Sequence, residues 1–158
     1  MEFGEYAALR YPRLSHTAFL LCRDRATAED LVQTALTKAW LAWGRVGDDP
    51  DPYVYRILVN THNTWWRRRW RGEVPTERLP EEIAPAVPVE DRDVLWRALG
   101  RLGKRERAAV VLRYYADLEH AAIAEILGCS PVTVRSQISR ALAKLRVDPS
   151  IVPVREGI

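Results

Sequence analysis

Cysteine is nearly missing from this chain: of 158 residues only Cys22 and Cys129 carry a thiol. Neither has a second Cys or a His at metal-ligand spacing, and His16, His62 and His120 are scattered. That excludes a disulfide framework and a zinc site, and leaves two reduced, buried thiols as the expectation. No apolar run approaches the roughly 18 residues that span a bilayer, so no membrane insertion is expected. The N-terminus MEFGEYAALR lacks a basic region followed by an apolar core, so no signal peptide is expected and the cytoplasm is the expected location. No segment alternates apolar and polar residues long enough to argue for a sheet, which makes the predicted fold all-α. Nor do titratable residues cluster as acid–base or nucleophilic chemistry requires, so neither an enzyme nor a cofactor is expected. Glu29, Asp30 and His62 are the best that a nuclease reading can offer.

The charge that is present is unevenly placed. Residues 1–72 carry 11 basic and 8 acidic side chains, residues 73–90 carry 1 and 5, and residues 91–158 carry 12 and 8. Two basic blocks flank an acidic connector, and the connector EVPTERLPEEIAPAVPVE holds four prolines (Pro75, Pro80, Pro85, Pro88). Each proline removes a backbone donor and biases the residue before it away from helix, so no long helix runs through this stretch. It reads as a flexible linker between two small helical domains. The domains expected are 1–72 and 91–147, with 73–90 as linker and 148–158 as a tail.

Helices are predicted over 3–22, 28–43, about 52–71, 91–101, 104–115, 119–127 and 131–146. In 28–43, Ala28, Leu31, Val32, Ala35, Leu36, Ala39, Trp40 and Trp43 recur at spacings of three and four. Thr27 is the expected N-cap there, with Asp30 completing a capping box.

The stretch GCSPVTVRS (128–136) stops one helix and restarts another. Gly128 suits the left-handed closure of a helix, Ser130 the next N-cap and Pro131 the first helical position. This is a helix-turn-helix. On the second helix Val134, Ile138, Ala141, Leu142 and Leu145 share one arc, while Arg135, Ser136, Gln137, Ser139 and Arg140 fall outside it. The face holds no acidic residue between Pro131 and Arg146. Outward Arg, Ser and Gln in the first turns match a helix that reads base edges in a major groove.

A second polyanion signal lies in RILVNTHNTWWRRRWR (56–71), where Arg56, Arg67, Arg68, Arg69 and Arg71 occur with Trp65, Trp66 and Trp70. Arginines suit a phosphate backbone and aromatic rings suit unpaired bases. Asn60, Thr61, His62, Asn63 and Thr64 precede the basic run and could line a pocket for an extruded base.

Taken in order, TAEDLVQTALTKAW (27–40), DPYVYRILVNTHNTWWRRR (51–69), the proline-rich linker and EHAAIAEILGCSPVTVRSQISRALAKLR (119–146) resemble a bacterial sigma factor of the short extracytoplasmic-function type. The resemblance implies a region 2 over 1–72 and a region 4 over 91–147. It implies that Asp30, Leu31, Gln33, Thr34 and Lys38 dock on the β′ clamp helices of core RNA polymerase. It assigns Arg56, Asn60, Thr61, Asn63, Thr64, Arg67, Arg68 and Arg69 to the −10 element of promoter DNA, with Asn60 at the flipped base. It assigns Thr133, Arg135, Ser136, Ser139 and Arg140 to the −35 element, places region 4 on the β flap, and makes an anti-sigma factor a further expected partner. The acidic linker is expected along the path of the transcript. The competing reading is a stand-alone helix-turn-helix regulator that binds an operator as a dimer.

Overall fold

A computed structural model of the chain describes residues 1–70 and 90–148. The chain divides into two compact units, Met1–Glu82 and Ile83–Ile158. The described residues hold seven α-helices and no strand, so the fold is all-α as expected. Apart from Glu90, the linker predicted over 73–90 lies outside the described residues, as does the tail from 149 on. Among the described residues no helix is long and apolar enough to cross a membrane.

The first unit is built from α1 (Phe3–Cys22), α2 (Arg25–Leu41), a 3-10 turn (Trp43–Arg45) and α3 (Asp51–Trp70). Helix α2 packs on both of the others. Its Leu31, Val32, Ala35 and Ala39 are almost fully buried, against Leu14 and Ala18 of α1 and Val54, Tyr55 and Leu58 of α3. Burying the leucines and valines among them contributes on the order of 2 kcal/mol each. The ends of α1 and α3 are clasped: the Tyr6 hydroxyl donates to Asp51 Oδ1 at 2.6 Å, and Arg10 Nε donates to both Asp51 oxygens at 3.2 Å. The rings of Phe3 and Tyr6 lie 5.2 and 5.3 Å from that of Trp43.

Two local expectations are corrected. Helix α2 begins at Arg25, not near Ala28, because Asp24 is its cap: one carboxylate oxygen accepts the Thr27 backbone N–H at 2.9 Å and the Thr27 hydroxyl at 2.6 Å. A charged acceptor outcompetes the threonine hydroxyl for the first-turn donors. Trp40 also leaves the expected apolar stripe and is 58% exposed, since α2 ends at Leu41 and has no neighbour on that side to cover the ring.

The second unit comprises α4 (Glu90–Gly100), α5 (Lys104–Tyr114), α6 (His120–Leu127) and α7 (Pro131–Arg146). Leu99, Leu112, Ile123 and Val134 are almost fully buried in it. Helix α5 packs on α6 and α7, and α6 on α7. The turn between α6 and α7 follows the sequence reading. Gly128 is left-handed at φ 73°, with its N–H on the Ala124 carbonyl at 2.8 Å. Ser130 Oγ accepts the Thr133 N–H at 3.1 Å, and Pro131 opens the helix. A β-carbon at Gly128 would strain the turn at that φ even though the space around it is open.

Burial is the first cause that pushes the Tyr6 phenol above its usual range, reinforced by its bond to Asp51; burial also pushes Tyr55 up to about 12. Both values are raised by folding. The stability the two phenols provide is therefore complete below about 10, the unfolded tyrosine value, and is lost as pH rises above it. In an ultraviolet titration, part of the tyrosinate signal from the six tyrosines should appear only together with loss of helical circular dichroism. Ionisation of all of them before any helix melts would contradict this packing.

Candidate nucleic-acid interface

Each unit presents one polar helix face, and each face is defined by what the opposite side of its helix buries. On α3, Val54, Leu58, Val59, Thr61 and His62 turn inward. At about 100° per residue, Arg56, Asn60, Asn63 and Arg67 then fall within an arc of about 60°, a stripe roughly 16 Å long. Arg56, Asn60 and Arg67 are exposed, and Asn63 and Thr64 half-buried. Thr64 Oγ1 donates to the Asn60 carbonyl at 3.0 Å, which leaves the Asn60 side-chain amide as the group that projects. Arg68 and Arg69 are exposed but lie off the stripe, and Trp66 is 37% exposed with its ring 6.4 Å from that of His62.

Thr61 does not join this surface. It is 4% exposed, and its hydroxyl accepts from Lys38 Nζ at 3.2 Å. The bond ties α2 to α3, so Thr61 belongs to the support of the stripe and not to its face. The three residues that a nuclease reading would have to use are likewise split, with Glu29 and Asp30 exposed on α2 and His62 buried on α3.

On α2, Asp30, Gln33 and Lys38 are exposed and Thr34 half-buried. Leu31 is 0% exposed. It packs in the core of the unit and cannot serve as the docking contact the sequence suggested, because its arc is the one α2 turns toward its neighbours. The same exposed side carries Trp40, expected on the apolar stripe, and Thr37 and Leu41, which sequence reasoning passed over. Gln33, Thr37 and Trp40 line an open, largely apolar groove of about 350 Å³ with Phe3, Ala7 and Leu36. The available signal was the wheel itself: Gln33, Thr37 and Leu41 are four residues apart, opposite the buried positions.

On α7, Arg135, Ser136, Ser139 and Arg140 are exposed as expected, and Thr133 is half-buried. Gln137 is a correction. It is buried at 8% exposure, because it sits three residues after Val134 and four before Ala141, both fully buried. Val132, not singled out from sequence, is 64% exposed in the first turn on the same side as Ser136 and Ser139. Arg140 is not independent: its Nε lies 3.6 Å from Glu106 Oε2 on α5, and Lys144 Nζ lies 2.9 Å from Glu106 Oε1. The Lys144 hydrogen bond, ahead of other causes, holds the Glu106 carboxyl below the usual range.

Both cysteines are free and half-buried, more accessible than expected. Burial pushes the Cys22 thiol up to about 11, which keeps it protonated at neutral pH.

The family model for Sigma-70 region 2 matches residues 8–72, and that for Sigma-70, region 4 matches residues 92–145. The RNA polymerase sigma-E factor of Streptomyces coelicolor is 39% identical over 150 residues, covering 92% of this chain and 85% of that protein. The ECF RNA polymerase sigma factor SigL of Mycobacterium tuberculosis is 31% identical, with 92% and 85% covered. Among solved structures, the sigma factor RpoE of Bartonella quintana, in complex with the anti-sigma factor NepR, is similar with a TM-score of 0.77. It is 28% identical and covers 92% of this chain and 98% of its own.

Leu31→Ala should destabilise the first unit by about 2–5 kcal/mol through lost burial and a residual cavity. Gln33→Ala should stay within about 0.5 kcal/mol, as a surface change does. Five of the six tryptophans precede residue 71, so denaturant unfolding followed by tryptophan fluorescence reports mainly on this unit. Equal effects would contradict the division of α2 into a core side and an outer side.

Proposed function

The chain belongs to the sigma-70 family as an RNA polymerase sigma factor of the extracytoplasmic-function type, and we propose how its surfaces divide the work of promoter-specific initiation. Its partners are core RNA polymerase and promoter DNA, and it acts in the cytoplasm by recruitment, with no bond chemistry of its own. Region 2 covers 1–72, the linker 73–90 and region 4 91–147, leaving 148–158 as a tail.

In this reading the outer side of α2 binds the β′ clamp helices through Asp30, Gln33, Thr34 and Lys38, with Trp40 beside them. Helix α3 takes one unwound strand of the −10 element. Asn60 hydrogen-bonds an extruded base, Arg56, Asn63 and Arg67 continue its stripe, Thr64 borders it, and Arg68 and Arg69 meet phosphates. Helix α7 reads the −35 duplex through Arg135, Ser136, Ser139 and Arg140, with Thr133 and Val132 at its entry. Region 4 also meets the β flap. An anti-sigma factor is the regulatory partner.

The observation that carries the reading is the acid-free outer face of α7: Arg135, Ser136, Ser139 and Arg140 stand exposed on a helix whose start is closed by Ser130 and whose other side is buried. The operator-binding regulator is not favoured, because it gives no reason for a region 2 at residues 8–72.

The test is run-off transcription with purified core polymerase and a randomised promoter pool. The chain should enrich one −35/−10 pair. Arg135→Ala should relax preference at an upstream position by about 1–3 kcal/mol, or 5- to 150-fold. Asn60→Ala should slow strand opening while binding to core polymerase stays intact. No initiation from any template would overturn the assignment, and loss of core binding in Asn60→Ala would make Asn60 structural.

A further inference from the structure

We propose that Glu106 is a positioning residue for Arg140, shaping how α7 reads duplex DNA without touching the DNA itself; this rests on the −35 role given to Arg140 above. Glu106 lies in the first turn of α5, and its side chain is 13% exposed. Lys144 Nζ holds one of its oxygens at 2.9 Å. The positive end of the α5 dipole favours its charge. The carboxylate is thus tied to α7 through Lys144 and favoured where it stands by the start of α5, independently of Arg140. The arginine must come to it.

Arg140 does so through Nε at 3.6 Å, while its side chain remains 57% exposed. The contact is made on the near side of the guanidinium. The terminal nitrogens are the donors an outside acceptor would use, and a planar fork held at one edge presents its other edge in a restricted set of directions. A long side chain loses rotamer freedom when it binds, and a restraint already present in the unbound protein removes part of that loss. Lys144 completes the arrangement: it sits four residues after Arg140 on α7, where two cations alone would repel, and the shared carboxylate between them offsets that repulsion.

A purely electrostatic role predicts something different. A carboxylate near a phosphate backbone would weaken binding to every sequence alike. Positioning acts only at the bases that Arg140 reads.

The experiment uses the full chain assembled with core polymerase, competed against a pool of duplexes randomised across the upstream element, at two salt concentrations. Five proteins are compared: the natural chain, Arg140→Gln, Glu106→Gln, the double variant of these two, and Lys144→Met. Arg140→Gln should relax preference at one or two base positions by about fivefold or more. Glu106→Gln should relax the same positions by about threefold or more, and the double variant should match Arg140→Gln alone, the non-additivity expected of residues acting as a unit. Lys144→Met, which removes an anchor but keeps the carboxylate, should give a smaller loss at the same positions, and it serves if Glu106→Gln does not fold by circular dichroism. A uniform gain or loss of affinity in Glu106→Gln with unchanged base preference overturns the proposal, as does additivity in the double variant. If Arg140→Gln itself leaves preference unchanged, the −35 role of Arg140 falls, and the proposal with it.

Discussion

A helix that reads a nucleic acid must bury one side against its own unit and keep the other clear, and 3.6 residues per turn allow no third choice. That division governs both units. On α7, Val134, Ile138 and Ala141 are buried, and only therefore do Arg135, Ser136, Ser139 and Arg140 stand on one outer face. On α3, Val54, Leu58 and Val59 play the same part for Arg56, Asn60 and Arg67. The polar groups do not place themselves. Aliphatic burial sets the rotation of each helix about its axis, and the outer stripe follows from it.

Where that burial is periodic, the sequence was sufficient to read it. All seven helices, the closure at Gly128 and the cap at Ser130 follow from spacing and from residue types with strong local preferences. What was not legible lies at the edges of arcs and in competition between neighbours. Gln137 is polar and was assigned to the outside, yet its place between Val134 and Ala141 on the wheel buries it. Leu31 was assigned both to an apolar stripe and to a partner surface, and a side chain fully enclosed by α1 and α3 can hold only the first role. Trp40 fits the apolar period, but α2 ends before anything can cover it. Thr27 and Asp24 are both good caps by type, and the charged one prevails. Each case is settled by tertiary neighbours, which a wheel drawn for one helix does not contain.

Charge counts mislead for the same reason. Residues 91–158 carry 12 basic side chains, and several of them serve the fold. Arg105 donates to the Leu127 carbonyl at 3.1 Å, Arg107 to those of Leu99 and Leu102 at 3.4 and 3.3 Å, and Arg113 to that of Leu118 at 3.2 Å. These carbonyls lie at the last turns of α4 and α6 and in the connectors that follow α4 and α5. Arg101 is paired with the buried Asp148 at 2.6 Å, just beyond the end of α7. The arginines that close turns and the arginines that face a polyanion are the same residue type, and only contacts such as those of Glu106, 34 positions before Arg140, separate the two uses.

Under the proposed division of work the two outer faces make different demands on DNA, and that difference links them to a larger machine. In that division the α7 face needs an intact major groove, since its arginines and serines are the groups proposed to read paired base edges. The α3 face needs a base out of the stack, and an intact duplex offers none without a cost of a few kcal/mol for unpairing. A chain with both faces therefore gains little from closed duplex alone. Joining the units by one tether makes the second contact intramolecular once the first has formed, so that modest contacts combine into selective binding. The second contact becomes favourable only where something else supplies the strand separation, which is what ties sequence reading by this chain to the polymerase that opens the template.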